Sequence, residues 1–141
     1  MIPLILLSSC RCSGRTDKPQ VRIGEHTWRV ELATDDQSRR QGLSGRDEVP
    51  EGTGMLFVFD REEALTFHML NCRTGIDVAF ISQTGRIVSI YTMAVEDNPR
   101  KPRFLYSSGH PAKFALEVAG GTFKQLNVKA GDKVELPNLR P

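Results

Sequence analysis

Met55-Leu56-Phe57-Val58-Phe59 is the stretch on which the fold turns. Successive side chains of a strand point to opposite faces, so a strand that is apolar at both parities must be covered on both sides. Five consecutive apolar residues are too few for a core helix of ordinary length and suit a buried strand. The sequence around this stretch repeats the theme in a weaker form.

Upstream, Trp28, Val30 and Leu32 alternate with Arg29 and Glu31, the period-two pattern of a half-buried strand. Asp35-Asp36 then opens a short helix, since aspartate there caps free amides and suits the positive end of the helix dipole. Arg39 and Arg40 follow Asp35 and Asp36 by four residues, a spacing that lets each pair meet, and Gly42 and Gly45 hold the helix to about two turns. Downstream, Thr66–Leu70 and Asp77–Ser82 read as further strands, and Gln83-Thr84-Gly85-Arg86 as a tight turn into Ile87–Tyr91. Phe114, Leu116 and Val118 alternate with Lys113 and Glu117, predicting another half-buried strand. Gly120-Gly121 ends it, Thr122–Leu126 forms a helical turn, and Gly131-Asp132 turns the chain into Val134–Leu136. Many short strands with little helix predict a mainly β protein: a single-domain β-sandwich or jelly-roll-like barrel with one or two short helices, over residues 21–141.

The composition agrees. The chain has 141 residues, 39% of them hydrophobic and 26% charged, enough for one self-sufficient core. Nineteen basic residues against seventeen acidic ones leave a net charge of +2, without the dense basic face of a nucleic-acid binder, so no nucleic-acid partner is expected. Three cysteines, two of them at the extreme N-terminus, do not make a disulfide framework.

Residues 1–9, Met-Ile-Pro-Leu-Ile-Leu-Leu-Ser-Ser, are apolar and then small, and read as a signal-peptide-like segment too short to span a bilayer. Leu7-Ser8-Ser9-Cys10 resembles the lipobox of bacterial lipoproteins, which makes Cys10 the expected lipid attachment and the membrane an expected partner. No basic residue precedes the apolar run, a departure that points to an upstream start or a degenerate signal. Residues 10–20 are rich in small and polar residues and read as a flexible tether. The expected location is therefore exported and membrane-anchored, with a cytoplasmic protein as the alternative. One stretch breaks the rhythm of short strands. Thr92–Pro111 carries Pro99, Pro102 and Pro111 with Arg100, Lys101 and Arg103 among aromatic residues, a long connection of the kind that often has a function.

Five segments in order carry a family resemblance: Arg39-Arg40-Gln41-Gly42-Leu43-Ser44-Gly45-Arg46, Gly54–Phe59, Phe67-His68-Met69-Leu70-Asn71-Cys72, Ile76-Asp77 with Phe80, and Ala112–Glu117 with Gly131-Asp132. Together they resemble the family catalogued as domain of unknown function 192, from about Glu31 to Leu136. The resemblance implies a compact, often exported β-sandwich of jelly-roll type and implies no activity. The family usually shows Phe-Trp-Met-Lys-Asn-Thr where this chain has Phe67–Cys72, and proline, leucine and aspartate at Gly75-Ile76-Asp77. Arg39, Arg46, Asn71 and Asp77 follow the family pattern, and with His68 they are the candidate ligand-binding residues.

The chemistry around these residues is sparse. His68 and Cys72 have zinc-compatible side chains four residues apart, but two ligands do not make a site, so no metal is expected. Gly42-Leu43-Ser44-Gly45 lacks the spacing of a nucleophile elbow, and no glycine loop cradles phosphate, so no catalytic residue and no cofactor are assigned. Asp77 and Glu117 could act as acid and base, though a buried carboxylate is expected to pair, with Arg39 and Arg46 the obvious partners. The leading expectation is a lipid-anchored domain that binds a small molecule or a partner protein without catalysis. The alternatives are a small enzyme acting on cell-envelope material and a structural envelope protein.

Overall fold

The computed structural model describes residues 17–140. The signal-like segment, Cys10 and most of the tether lie outside the described residues. The first two strands, β1 (Gln20–Ile23) and β2 (His26–Ala33), form an antiparallel hairpin, and α1 (Asp36–Gln41) follows. Then come β3 (Thr53–Glu63), β4 (Thr66–Phe67), β5 (Ile76–Ile81), β6 (Ile87–Met93), β7 (Tyr106–Ser107) and β8 (Ala112–Ala119). A second short helix, α2 (Thr122–Gln125), and β9 (Val134–Glu135) complete the described chain.

Seven strands make one sheet in the order β6-β5-β8-β3-β2-β1-β9, while β4 and β7 pair separately. All neighbours in the sheet run antiparallel except β2 and β3, whose connection passes through α1. The sheet curls until its two edges meet. Arg86 bridges Lys133, and backbone bonds of 2.8–3.0 Å join Ile87 to Asp132, Gly131 to Ile87 and Val134 to Gly85. Pairing there covers the start of the β6 edge. The architecture is the barrel-like, mainly β fold expected.

Period-two alternation divides the core into two layers. From β3, Leu56 joins Trp28, Val30, Leu116, Val118 and Phe123 in the layer enclosed by the sheet. Met55 and Phe57 point the other way and pack with Val78, Phe80, Met93 and Ala115 beneath Leu43, Leu65, Met69 and Cys72 from the covering loops. Burying a large apolar side chain contributes roughly 1.5–3 kcal/mol, so both layers matter to stability. Gly54 permits the closest approach at the start of β3: a Cβ there would lie 2.3 Å from the Glu117 carbonyl oxygen.

Three local expectations are corrected. The 66–70 segment forms only the two-residue β4 before it turns outward through Asn71, whose φ is +55°. The long 92–111 connection contains β7, which pairs with β4 and fastens the connection to the outer layer. The β8 strand is buried on both faces, Glu117 included, because the outer layer covers the parity that Lys113 and Glu117 made look wet.

Candidate functional site

Helix α1 begins with a reciprocal cap. Asp35 accepts the Ser38 N–H at 2.7 Å while the Ser38 hydroxyl meets the Asp35 N–H at 3.3 Å. The Ser38 amide, and after it the Ser38 hydroxyl, hold the Asp35 carboxyl below the usual carboxylate range. The helix ends at Gly42, whose φ of +49° suits glycine. A Cβ at Gly42 would lie 3.2 Å from Phe57 Cζ and 3.7 Å from Glu117 Oε2. The missing side chain therefore opens space directly over the outer face of β3 and β8.

That space is a cleft of about 540 Å³ between α1 and the 66–72 segment. Phe57, Phe59 and Phe67 supply its apolar wall, with Phe67 edge-on to Phe57 at 4.9 Å between centroids. Its polar lining includes Arg39, Ser44, Thr66, His68, Cys72 and Glu117, with Asp36, Arg40 and Gln41 on the α1 side. Glu117 is 5% exposed, and its Oε2 has no hydrogen-bond partner among the described residues. Burial alone pushes its carboxyl up to about 8, so it is neutral over most of the physiological range. Cys72, also buried, is raised to about 11, first by burial and then by the nearby Glu117, against a lowering hydrogen bond with Ser44. A thiol so placed is a weak nucleophile at neutral pH. The Ser44 hydroxyl donates to the Leu70 carbonyl at 3.0 Å, and His68 Nδ1 accepts the Leu70 N–H at 3.3 Å. Among the described residues no three histidine, cysteine, aspartate or glutamate side chains gather as a metal site.

Of the five residues singled out from sequence, Arg39 and His68 line this cleft, and Arg46, Asn71 and Asp77 do not. Arg39 is also committed elsewhere. It donates to the carbonyls of Thr34 and Val58, pairs with Asp36 at 2.8 Å and lies 5.2 Å from the centre of the Phe59 ring. The expected i,i+4 partnership with Asp35 gives way to an i,i+3 one, because Asp35 is occupied by its cap. Arg46 pairs with Glu31 at 2.5 Å, which lowers the Glu31 carboxyl. Asn71 is an exposed turn residue whose backbone joins Pro99 and Gly45. Asp77 is fully buried on the opposite face of β5, where Oδ1 and Oδ2 each accept one amide, from Gly121 and Phe123, at 2.9 Å. The expected pairing of Asp77 and Glu117 with Arg39 and Arg46 is therefore corrected: backbone amides satisfy one carboxylate, and the other has no arginine.

Glu117 is the central residue that alternation misplaced. The available signal was Ala115, which shares its parity: a small apolar residue between Lys113 and Glu117 marks a face that is closely covered.

Residues 19–136 match the family DUF192, described as an uncharacterised ACR, and the chain belongs to that family. No protein with a curated description matches it. A solved structure from Sinorhizobium meliloti, described as a candidate transcription regulator, is 34% identical. It superposes with a TM-score of 0.75 over 83% of this chain and 92% of that one. A protein of unknown function from Novosphingobium aromaticivorans is 30% identical, with a TM-score of 0.74 over 83% of each chain.

Proposed function

We propose that this protein is an exported, lipid-anchored binding domain that takes a small molecule in the cleft above Glu117. The observation that carries the reading is the unpartnered Oε2 of Glu117 at a cleft with an aromatic wall. A buried polar group without a partner costs about 1–3 kcal/mol, and a ligand that supplies the missing bond would recover it. Few polar groups among apolar walls are the ordinary makeup of a small-molecule site. The anchor rests on Leu7-Ser8-Ser9-Cys10. The transcription-regulator description of the Sinorhizobium protein is not carried over, since a net charge of +2 over the whole chain falls short of the basic excess usual in a nucleic-acid binder.

Binding is favoured over catalysis because, among the described residues, the Ser44 hydroxyl and the Cys72 thiol are hydrogen-bonded to the Leu70 carbonyl and not to His68. Ser44 is turned to a carbonyl and the Cys72 thiol is kept protonated. One observation favours the second reading, a small envelope enzyme: a carboxyl neutral at pH 7 can serve as a general acid. Mass spectrometry of small molecules retained by the purified protein tests the first reading. Glu117→Leu, which fills the space and removes both oxygens, is expected to abolish retention of a molecule that the unaltered protein keeps. Glu117→Gln keeps the shape and an acceptor oxygen, so it should preserve binding but eliminate any turnover. For the anchor, Cys10→Ala is expected to move the protein from the membrane fraction to the soluble one. Soluble recovery of the unaltered protein would end that part of the reading.

A further inference from the structure

Four large hydrophobic residues are exposed among the described residues, and three of them sit in the connection between β6 and β8: Val95, Phe104 and Leu105, at 44%, 56% and 69%. The connection is held in shape from within. Glu96 is buried and accepts the Arg103 N–H at 2.6 Å and the Phe104 N–H at 3.4 Å, tying the two sides of the loop together. The Pro99 carbonyl accepts the Asn71 N–H at 2.8 Å, fixing the loop to the outer layer. Phe104 and Leu105 are thus presented to solvent by a braced backbone.

Charge surrounds them with one dominant sign. Arg100, Lys101 and Arg103 are exposed, and none forms a salt bridge among the described residues. Asp97 is the exposed acid of the loop, Glu96 being turned inward. Lys101, Pro102 and Arg103 line one side of a shallow depression of about 520 Å³ beside Asp97 and Asn98.

We propose that this loop is a second membrane contact, which inserts Phe104 and Leu105 into the interface of an anionic lipid bilayer while Arg100, Lys101 and Arg103 meet its headgroups. Size separates a lipid surface from a protein partner. A stable protein interface covers roughly 800 Å² on each side, a little over half of it apolar, whereas a fully buried aromatic side chain supplies about 150–250 Å². Three partly exposed side chains fall short of that area. Shallow insertion of two apolar side chains beside cations suits an anionic bilayer, where each Lys or Arg near the surface adds to the attraction. The inference does not depend on Cys10, although one anchor plus a basic apolar contact is a combination that stabilises membrane attachment.

The test is sedimentation of the full chain carrying Cys10→Ala, which removes the proposed lipid site. The vesicles are phosphatidylcholine alone, or phosphatidylcholine mixed equally with phosphatidylglycerol. Phe104→Ser with Leu105→Ser is expected to lower partitioning onto the anionic vesicles by about tenfold or more. Arg100→Gln, Lys101→Gln and Arg103→Gln together should lower it by roughly fivefold for each cation, and should leave the weak partitioning onto phosphatidylcholine unchanged. Both variants should melt at the parent temperature, since the substituted side chains are exposed. Partitioning that neither variant alters would overturn the proposal, and so would equal binding of the parent chain to the two vesicle types.

Discussion

Asp77 and Glu117 lie on neighbouring strands, one residue out of register: Asp77 is opposite Val118, and Glu117 opposite Val78. Both are buried, at 0% and 5% exposure, yet their side chains point into different layers. Asp77 reaches the end of the enclosed layer and receives two amides from the turn that opens α2. Glu117 reaches the outer layer, where Gly42 leaves a gap and its Oε2 is left without a donor. A carboxylate whose oxygens are met by the backbone is part of the fold. One that is desolvated beside an open cleft costs stability, which is the ground on which a ligand is proposed there.

The comparison can be broken from either side. Asp77→Ala should have the largest effect. It removes two charge-assisted bonds, each worth about 1.5–3 kcal/mol, and should lower the melting temperature by roughly 10 °C or more, since 1 kcal/mol moves a domain of this size by about 3–6 °C. The small molecules retained at temperatures below melting should not change. A variant that melts normally would show that the two amides do not hold this end of the sheet.

Glu117→Gln should act in the opposite direction and only at some pH values. The folded carboxyl is raised from about 4.5 to about 8. Below pH 4.5 it is protonated folded or unfolded, so it adds no penalty. Between 4.5 and 8 the unfolded chain releases a proton that the folded one retains, so stability falls as pH rises. Above 8 the loss is complete, on the order of a few kcal/mol. The variant should therefore match the parent near pH 4.5 and melt several degrees higher at pH 9. Differential scanning calorimetry across that range checks the sign as well as the size. Parallel melting curves at every pH would remove the distinction between the two carboxyls.

Smaller effects sharpen the boundary of the cleft. Gly42→Ala places a methyl 3.2 Å from Phe57 Cζ at a residue with φ of +49°. It should cost about 1–2 kcal/mol and reduce ligand retention, because the methyl takes space over Glu117. At the low end, Arg46→Ala breaks a half-exposed pair with Glu31 and should cost no more than about 1 kcal/mol, with no effect on retention. An effect on retention at Arg46 as large as that at Gly42 would extend the site beyond the cleft.

The fold was largely legible because its decisive signals are local. Met55–Phe59 is apolar at both parities, and Trp28-Val30 and Phe114-Leu116-Val118 alternate as strands do. Asp35 and Gly42 mark the ends of α1. What the sequence concealed was set by contacts distant along the chain. β7 is two residues long and exists only because β4 lies beside it. The dryness of Glu117 depends on loops contributing Leu43, Met69 and Cys72, which no alternation rule places over β8. The site was legible in part for the same reason. Arg39 and His68 sit on segments that flank the cleft, whereas Asp77 obeys the same pattern of a polar residue among apolar ones in order to hold the amides of Gly121 and Phe123, far along the chain.

The most direct measurement follows the Glu117 carboxyl carbon itself, by 13C NMR of protein labelled at glutamate, with Glu117→Gln identifying the resonance. The carboxyl is expected to titrate near pH 8 and to shift when a cleft ligand binds. A midpoint near 4.5 would mean that water or an ionic partner reaches Glu117, and the account of the cleft as a desolvated, ligand-seeking site would be wrong.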